Sequence, residues 1–232
     1  MTRPLQPLVD RLEQFLNEPL RFRSRILLAL LVIPLALSFV KPLWRISMEA
    51  PQYPQGLYVD IYNYKLTGGH DDHDIVEINE LNHYIGMRNI DRAELSDLDW
   101  IPFALGLLAI LTLRVAAIGN VRNLVDLFVM TMYVSGFALL RFVYKLYLFG
   151  HDLDPHAAVR IDPFMPAVLG TKQIANFTTH SWPRWGTLFM TVFVAGVLAV
   201  MAWHLWLGYR EAWGKRQDAA RSPVPAPTAG TA

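Results

Sequence analysis

Long uncharged stretches alternate with polar ones along this chain, and four of the apolar stretches come close to the roughly 20 residues that a bilayer-spanning helix needs. They cover residues 26–45, 100–118, 124–149 and 185–208. The first has a short uncharged core, 26–40, that includes Pro34; the second carries Arg114 near its end. The third carries Asp126 near its start, with Arg141 and Lys145 in its second half. Trp44, Trp100, Tyr144, Tyr147, Trp182, Trp185, Trp203 and Trp206 fall near the ends of these stretches, as interfacial aromatic belts do. The pattern predicts an all-α membrane bundle of four transmembrane helices, carrying a small mixed cap that contains a β-hairpin.

The polar stretches predict the rest. In residues 1–25, Leu5, Leu8, Leu12, Phe15 and Leu16 recur at helical spacing, which predicts an amphipathic helix beside the membrane. Loop one, 46–99, opens on an extended proline-bearing lead-in. From Leu57 to Leu66 it alternates, with Leu57, Val59 and Ile61 on one face and Tyr58, Asp60, Tyr62 and Tyr64 on the other. Gly68 and Gly69 then mark a turn, the run Ile75-Val-Glu-Ile78 reads as a returning strand, and a short helical turn holds His83 and Met87. Loop two, 150–184, has four prolines and no clear period, and its length argues against an idle connection. It is expected to pack on loop one and complete a single cap. The tail, 209–232, is rich in Pro and Ala and is expected to be disordered.

Composition supports the membrane class: 53% of residues are hydrophobic and 18% charged. A net charge of +1 without a basic run gives no reason to expect a nucleic-acid partner. The absence of cysteine excludes disulfides, thiolate zinc sites and iron–sulfur clusters. Arg21, Arg23, Arg25, Arg114, Arg122, Arg210, Lys215 and Arg216 collect at one set of span ends, which places both termini in the cytoplasm and both loops outside. Lys41, Arg45, Arg141 and Lys145 weaken that bias, whereas the acidic character of loop one and the basic turn at 119–123 support it.

Candidate chemistry centres on histidine. His83 and Met87, at i and i+4 on a helical turn, would share a face, and imidazole with thioether suits Cu(I). Against this, Met87 packed into the cap and His83 in a structural hydrogen bond would satisfy the same residues. His70 and His73, in His-Asp-Asp-His-Asp, are either a weak metal-capture site or a solvated hairpin tip. His151 and His156 follow the third span, and one of them could close a site with His83 and Met87 if the loops meet. His180 fits an ordinary interfacial histidine. Of the seven histidines only His204 lies within a span, too few for a haem between helices. Asp126, Arg114, Arg141, Lys145 and His204 are the ionisable groups at membrane depth, and such groups are functional candidates. No nucleophile motif, phosphate-binding glycine loop or zinc-hydrolase signature is present, so the chain is not expected to be an enzyme.

Ala50-Pro-Gln-Tyr53-Pro54-x-Gly56-Leu57 and Leu81-Asn-His-Tyr-Ile-Gly-Met87 bracket loop one. Asp154-Pro155, Pro163-Phe164-x-Pro166-x-x-Leu169-Gly170-Thr171 and Ile174-Ala-Asn-Phe177 punctuate loop two. With the four-span layout, these strings resemble a little-characterised bacterial inner-membrane family encoded near nitrous oxide reductase and other respiratory copper enzymes. The resemblance covers roughly residues 26–208 and departs at 69–74, where a shorter turn is expected. It implies a multi-pass inner-membrane protein with periplasmic loops, a role beside copper delivery or electron supply, and copper as the ion at His83 and Met87. A periplasmic copper enzyme, a copper chaperone or a cytochrome would be the partner. The leading expectation is therefore an accessory protein that binds or relays copper in its cap or assists enzyme maturation. The alternative is a metal-free docking subunit of a respiratory complex. Quinol oxidation or proton-coupled transport through Asp126, Arg141 and His204 is a weaker third.

Overall fold

The computed structural model describes residues 6–174 and 176–221. Its elements in chain order are α1 (Gln6–Asn17), α2 (Phe22–Leu37), β1 (Trp44–Ala50), β2 (Tyr53–Ile61), β3 (Leu66–Gly68) and α3 (His73–Tyr84). There follow α4 (Asp97–Ile118), α5 (Val121–His151), β4 (Gly170–Ile174), β5 (Phe177–Pro183) and α6 (Trp185–Arg221). Helices α2, α4, α5 and α6 run up and down as a bundle, and both loops emerge at the same end of it.

Among the described residues three helices, α4, α5 and α6, are long and apolar enough to cross a bilayer, which makes this a multi-pass membrane protein. The expected first span is shorter than its apolar run suggested. Helix α2 starts earlier, at Phe22, and stops at Leu37 after 16 residues, or about 24 Å of helix against a hydrocarbon layer of about 30 Å. Pro34 lies in its last turn, and Trp44 belongs to a strand. The tail also differs from expectation, since α6 continues as helix through 209–221; residues 222–232, like Leu5, lie outside the described residues.

The bundle core forms because each helix sets a buried stripe at helical spacing toward the others. On α2 it is Leu28, Leu31 and Leu35; on α4, Leu105, Leu108, Thr112 and Val115; on α6, Phe193, Val197, Val200 and Met201. Large side chains on the outer faces, such as Phe103, Ile110 and Leu140, are well exposed, which suits contact with lipid tails. Helix α5 breaks the rule. Its buried stripe runs from Val121 to Thr131 and resumes only at Leu146 and Phe149. Over the intervening turns no residue is fully buried, and contact with the neighbours is through single side chains such as Phe137 on Trp100 (5.2 Å) and Phe142 on Trp44 (5.0 Å).

At the end away from the cap, α4 stops at Gly119, which takes a left-handed conformation (φ 70°). Arg25 donates to the carbonyls of Ala116 (2.8 Å) and Ala117 (2.6 Å), occupying acceptors that the helix end leaves free. Backbone bonds from Leu20 to Gly119 (2.6 Å) and from Val121 to Glu18 (3.0 Å) fix the segment after α1 to the α4–α5 turn. Phe15 and Leu16 of α1 pack on the bundle, so the amphipathic helix is docked.

The cap is a five-stranded antiparallel sheet in the order β3-β2-β1-β5-β4, built from both loops as expected. It holds more strand than the sequence pattern predicts. The proline-bearing lead-in is β1 and the start of β2, and loop two supplies β4 and β5. The run at 75–78, expected as a strand, is helical. Ile75, Ile78 and Asn82, with Ile85 just beyond the helix, fall on one face of α3 and pack toward the sheet, so burial follows the helical period. Pro54 sits where β2 has a partner on one side only, a position at which its missing N–H costs no ladder bond.

The two faces of the sheet differ. One carries Arg45 opposite Asp60 in a two-point ion pair (2.7 and 2.6 Å), with the guanidinium 4.0 Å from the Tyr58 ring centre. The hydrogen bonds that Arg45 donates to Asp60 raise its pKa above the ordinary value. The other face is apolar, with Ile46 and Met48 of β1 opposite Val59 and Leu57 of β2, and Phe177 of β5 on the same side. That face looks down on the bundle.

Candidate functional site

A cavity of about 510 Å³ separates the apolar face of the sheet from the ends of the helices. Ile46, Met48, Val59, Ile61 and Phe177 form its roof. Ile78, Ile85 and Met87 close one side, and Leu98, Trp100 and Ile101 of α4 and Met190 and Val194 of α6 lie below. The remaining wall is the α5 stripe Ser135, Ala138, Phe142, Lys145 and Phe149, most of it on the stretch where the buried stripe of that helix is interrupted. Such a volume falls in the range of about 300–1,000 Å³ that encloses small ligands. A further cavity of about 30 Å³ lies below, sharing Trp100, Ile101, Ser135, Ala138, Met190 and Val194 with the first.

Among the described residues, the charged groups lining the large cavity are Asp97, Arg141 and Lys145. Arg141 donates from Nε (2.8 Å) and Nη2 (3.1 Å) to the two oxygens of Asp97, and the Trp100 indole N–H donates to the same carboxylate (2.8 Å). This is where the deep arginine of the third stretch finds its counter-charge. Lys145, one turn on, donates to the Glu94 carbonyl, while Glu94 itself is engaged by Arg88. The uncharged polar groups of the roof are satisfied internally. The Trp44 indole donates to Ser181 Oγ (2.7 Å), which donates to the Val168 carbonyl (3.1 Å), and Thr179 donates to the Lys172 carbonyl (2.9 Å).

Leu139 on α5 and Thr191 on α6 both line the large cavity and both are exposed, Leu139 at 63%.

The structure disperses the histidines. α3 ends at Tyr84 and Gly86 turns the chain (φ 77°), so His83 and Met87 do not share a helical turn. His83 stays exposed, whereas Met87 packs against the cap core and lines the cavity. His70 binds Asp74 (2.7 Å), a buried carboxylate that also accepts from the Tyr58 backbone N–H (2.9 Å), so it braces the turn before α3. His73 is exposed at the first position of α3. His151 ends α5, stacked on Tyr147 with ring centres 3.8 Å apart. His156 is exposed and pairs with Asp154 at 3.3 Å. Among the described residues no three His, Cys, Asp or Glu side chains gather as a metal site.

The loops do meet where expected. Asp154 donates its backbone N–H to Gly86 (2.8 Å) and Val159 donates to Tyr84 (3.0 Å). The Asp154 carboxyl is held below its usual range, first by the His156 backbone N–H (2.8 Å), then by the rings of His156 and His83. His180 bonds Thr171 (2.7 Å), and His204 is buried against Ser24 (3.1 Å); Asp126 and Arg114 are exposed. Asp97, Trp100, Ala138 and Phe142 were not singled out as site residues by sequence. The signal that could have found them was Arg141, a charge at depth that needs an acid nearby.

No family model, curated protein or solved structure matches this chain.

Proposed function

We propose that this is an accessory protein of the bacterial inner membrane, with its sheet-bearing cap on the periplasmic side and α2 as a short fourth span, that holds the hydrocarbon chain of a membrane amphiphile between cap and bundle. The observation that carries this reading is the cavity itself. Filled with water it would take on the order of 17 molecules at about 30 Å³ each, and each needs two to four polar partners. Ile46, Met48, Val59, Ile61 and Phe177 offer none. Hydrocarbon fits such walls, and Leu139 and Thr191, which line the cavity and are also exposed, would border its route from the bilayer. The test is a diazirine-bearing acyl chain photolysed in membranes, with adducts mapped by mass spectrometry. Adducts on Ile46 and Val59, which lie in the cap, are expected. Adducts confined to outward residues such as Phe103 and Leu140 would contradict the reading.

Copper handling is a second reading, supported by the family resemblance and by one contact. The meeting of the loops brings His83 within electrostatic reach of Asp154, which pairs with His156 at 3.3 Å, although the three do not gather as a metal site. In that reading Met87 serves the cap core, and the ion sits at imidazole and carboxylate, a set that suits Cu(II) better than Cu(I). Copper titration against a chelator separates the versions. His83→Ala abolishes binding while Met87→Leu retains it, and binding that survives His83→Ala sinks this reading.

A further inference from the structure

The cavity is almost wholly apolar, yet its wall carries one positive charge in excess. Arg141 is matched by Asp97 in the two-point pair, whereas Lys145 has a backbone carbonyl as its hydrogen-bond partner and no carboxylate within ion-pair distance among the described residues. An ammonium has three N–H donors, and one goes to Glu94. Lys145 feels Asp97 only at longer range, and a cation beside apolar walls with no carboxylate in direct contact favours an anion that can join it.

Its depth is equally informative. Lys145 lies 21 residues along α5 from Leu124, about 32 Å of helix, close to the thickness of the hydrocarbon layer. With Leu124 at the inner edge of that layer, the lysine reaches headgroup level, and Ser135 and Ala138 of the same stripe fall at acyl-chain level. The sheet roof continues the apolar surface beyond it. On the reading that the cavity holds an acyl chain, we infer that its occupant is an anionic amphiphile, whose acidic headgroup is bound by Lys145 with Arg141 beside it. The hydrocarbon lies under the Ile46–Val59 face. The recognised chemistry is a phosphodiester or a carboxylate bearing a long chain, and zwitterionic lipids of the same chain length are discriminated against because their ammonium meets a second cation.

The test uses full-length protein in nanodiscs doped with photoreactive probes of identical chain: phosphatidylglycerol, phosphatidylcholine or the free fatty acid. Labelling of Ile46 and Val59 by phosphatidylglycerol or by the fatty acid is expected to exceed that by phosphatidylcholine on the order of fivefold, the effect of one basic residue on an anionic lipid. Whichever acid labels more strongly identifies the headgroup. Lys145→Gln, which keeps a donor for the Glu94 carbonyl, removes the preference while phosphatidylcholine labelling stays constant, which also shows that the cavity is intact. Equal labelling by all three probes, or a preference that survives Lys145→Gln, overturns the inference and leaves the acyl-chain reading standing. Absence of cap labelling by every probe overturns both.

Discussion

Arg141 and Asp97, 44 positions apart, meet in a two-point ion pair at 2.8 and 3.1 Å on the wall of the cavity. The pair ties the cap-proximal half of α5, where its buried stripe is interrupted, to the first residue of α4. The Trp100 indole steadies the same carboxylate at 2.8 Å. Both side chains are largely covered, at 32% and 14% exposed, so the contact is better insulated than a surface ion pair.

Replacing Asp97 by Asn is expected to lower stability in detergent by about 1.5–3 kcal/mol, the range for a hydrogen bond to a charged group. Arg141→Gln should cost a similar amount, and the double variant much less than the sum, because the interaction can be lost only once. Thermal unfolding of the three variants checks this; strictly additive losses would show that the two residues act separately.

Gly86→Ala should loosen the junction of the two loops. The residue has φ 77°, a conformation that costs other L-residues roughly 1–2 kcal/mol. An added Cβ would also lie 2.8 Å from the Asp154 carbonyl oxygen. Faster hydrogen exchange at the amides of Asp154 and Val159, with the bundle helices unchanged, is the expected result.

The same junction should weaken in acid. Asp154 has its pKa lowered, chiefly by the His156 backbone N–H. A depressed carboxyl adds stability above the ordinary value of about 3.9, and that contribution is lost as pH falls through its own lower value. Amide protection at Asp154 and Val159, corrected for intrinsic rates, should therefore fall below about pH 4. In Asp154→Asn that acid step should be missing.

The membrane helices were legible because their signal is local. Residues 100–118, 124–149 and 185–208 each lie within an observed helix. The sheet was largely hidden because its pairing is not local. β1 pairs with β5 across more than 130 positions, and β5 presents Thr178, Thr179, His180 and Ser181, a polar string that reads as loop. Its alternation is real, but the buried members are Thr179 and Ser181, satisfied by backbone carbonyls. The run at 75–78 was ambiguous for another reason: a short apolar run fits both periods, and only the burial of Asp74, Ile78 and Asn82, four apart along α3, decides for helix.

The site was half legible. Arg141 and Lys145 stood out as charges near membrane depth, and the meeting of the two loops was anticipated. The cavity was not, because it arises from the interrupted stripe of α5 and from a sheet face assembled from distant segments. The pairing of His83 with Met87 assumed one continuous helical turn, whereas the helix ends at Tyr84 and Gly86 between them takes a left-handed conformation.

The most direct measurement is native mass spectrometry of the detergent-purified protein beside Ala138→Trp, which places an indole in both cavities. The wild-type chain is expected to carry one tightly held amphiphile that survives delipidation, and the Trp variant, equally folded by circular dichroism, to carry none. A wild-type protein with no bound mass, or a Trp variant that retains it unchanged, would contradict the assignment of the cavity as a ligand site.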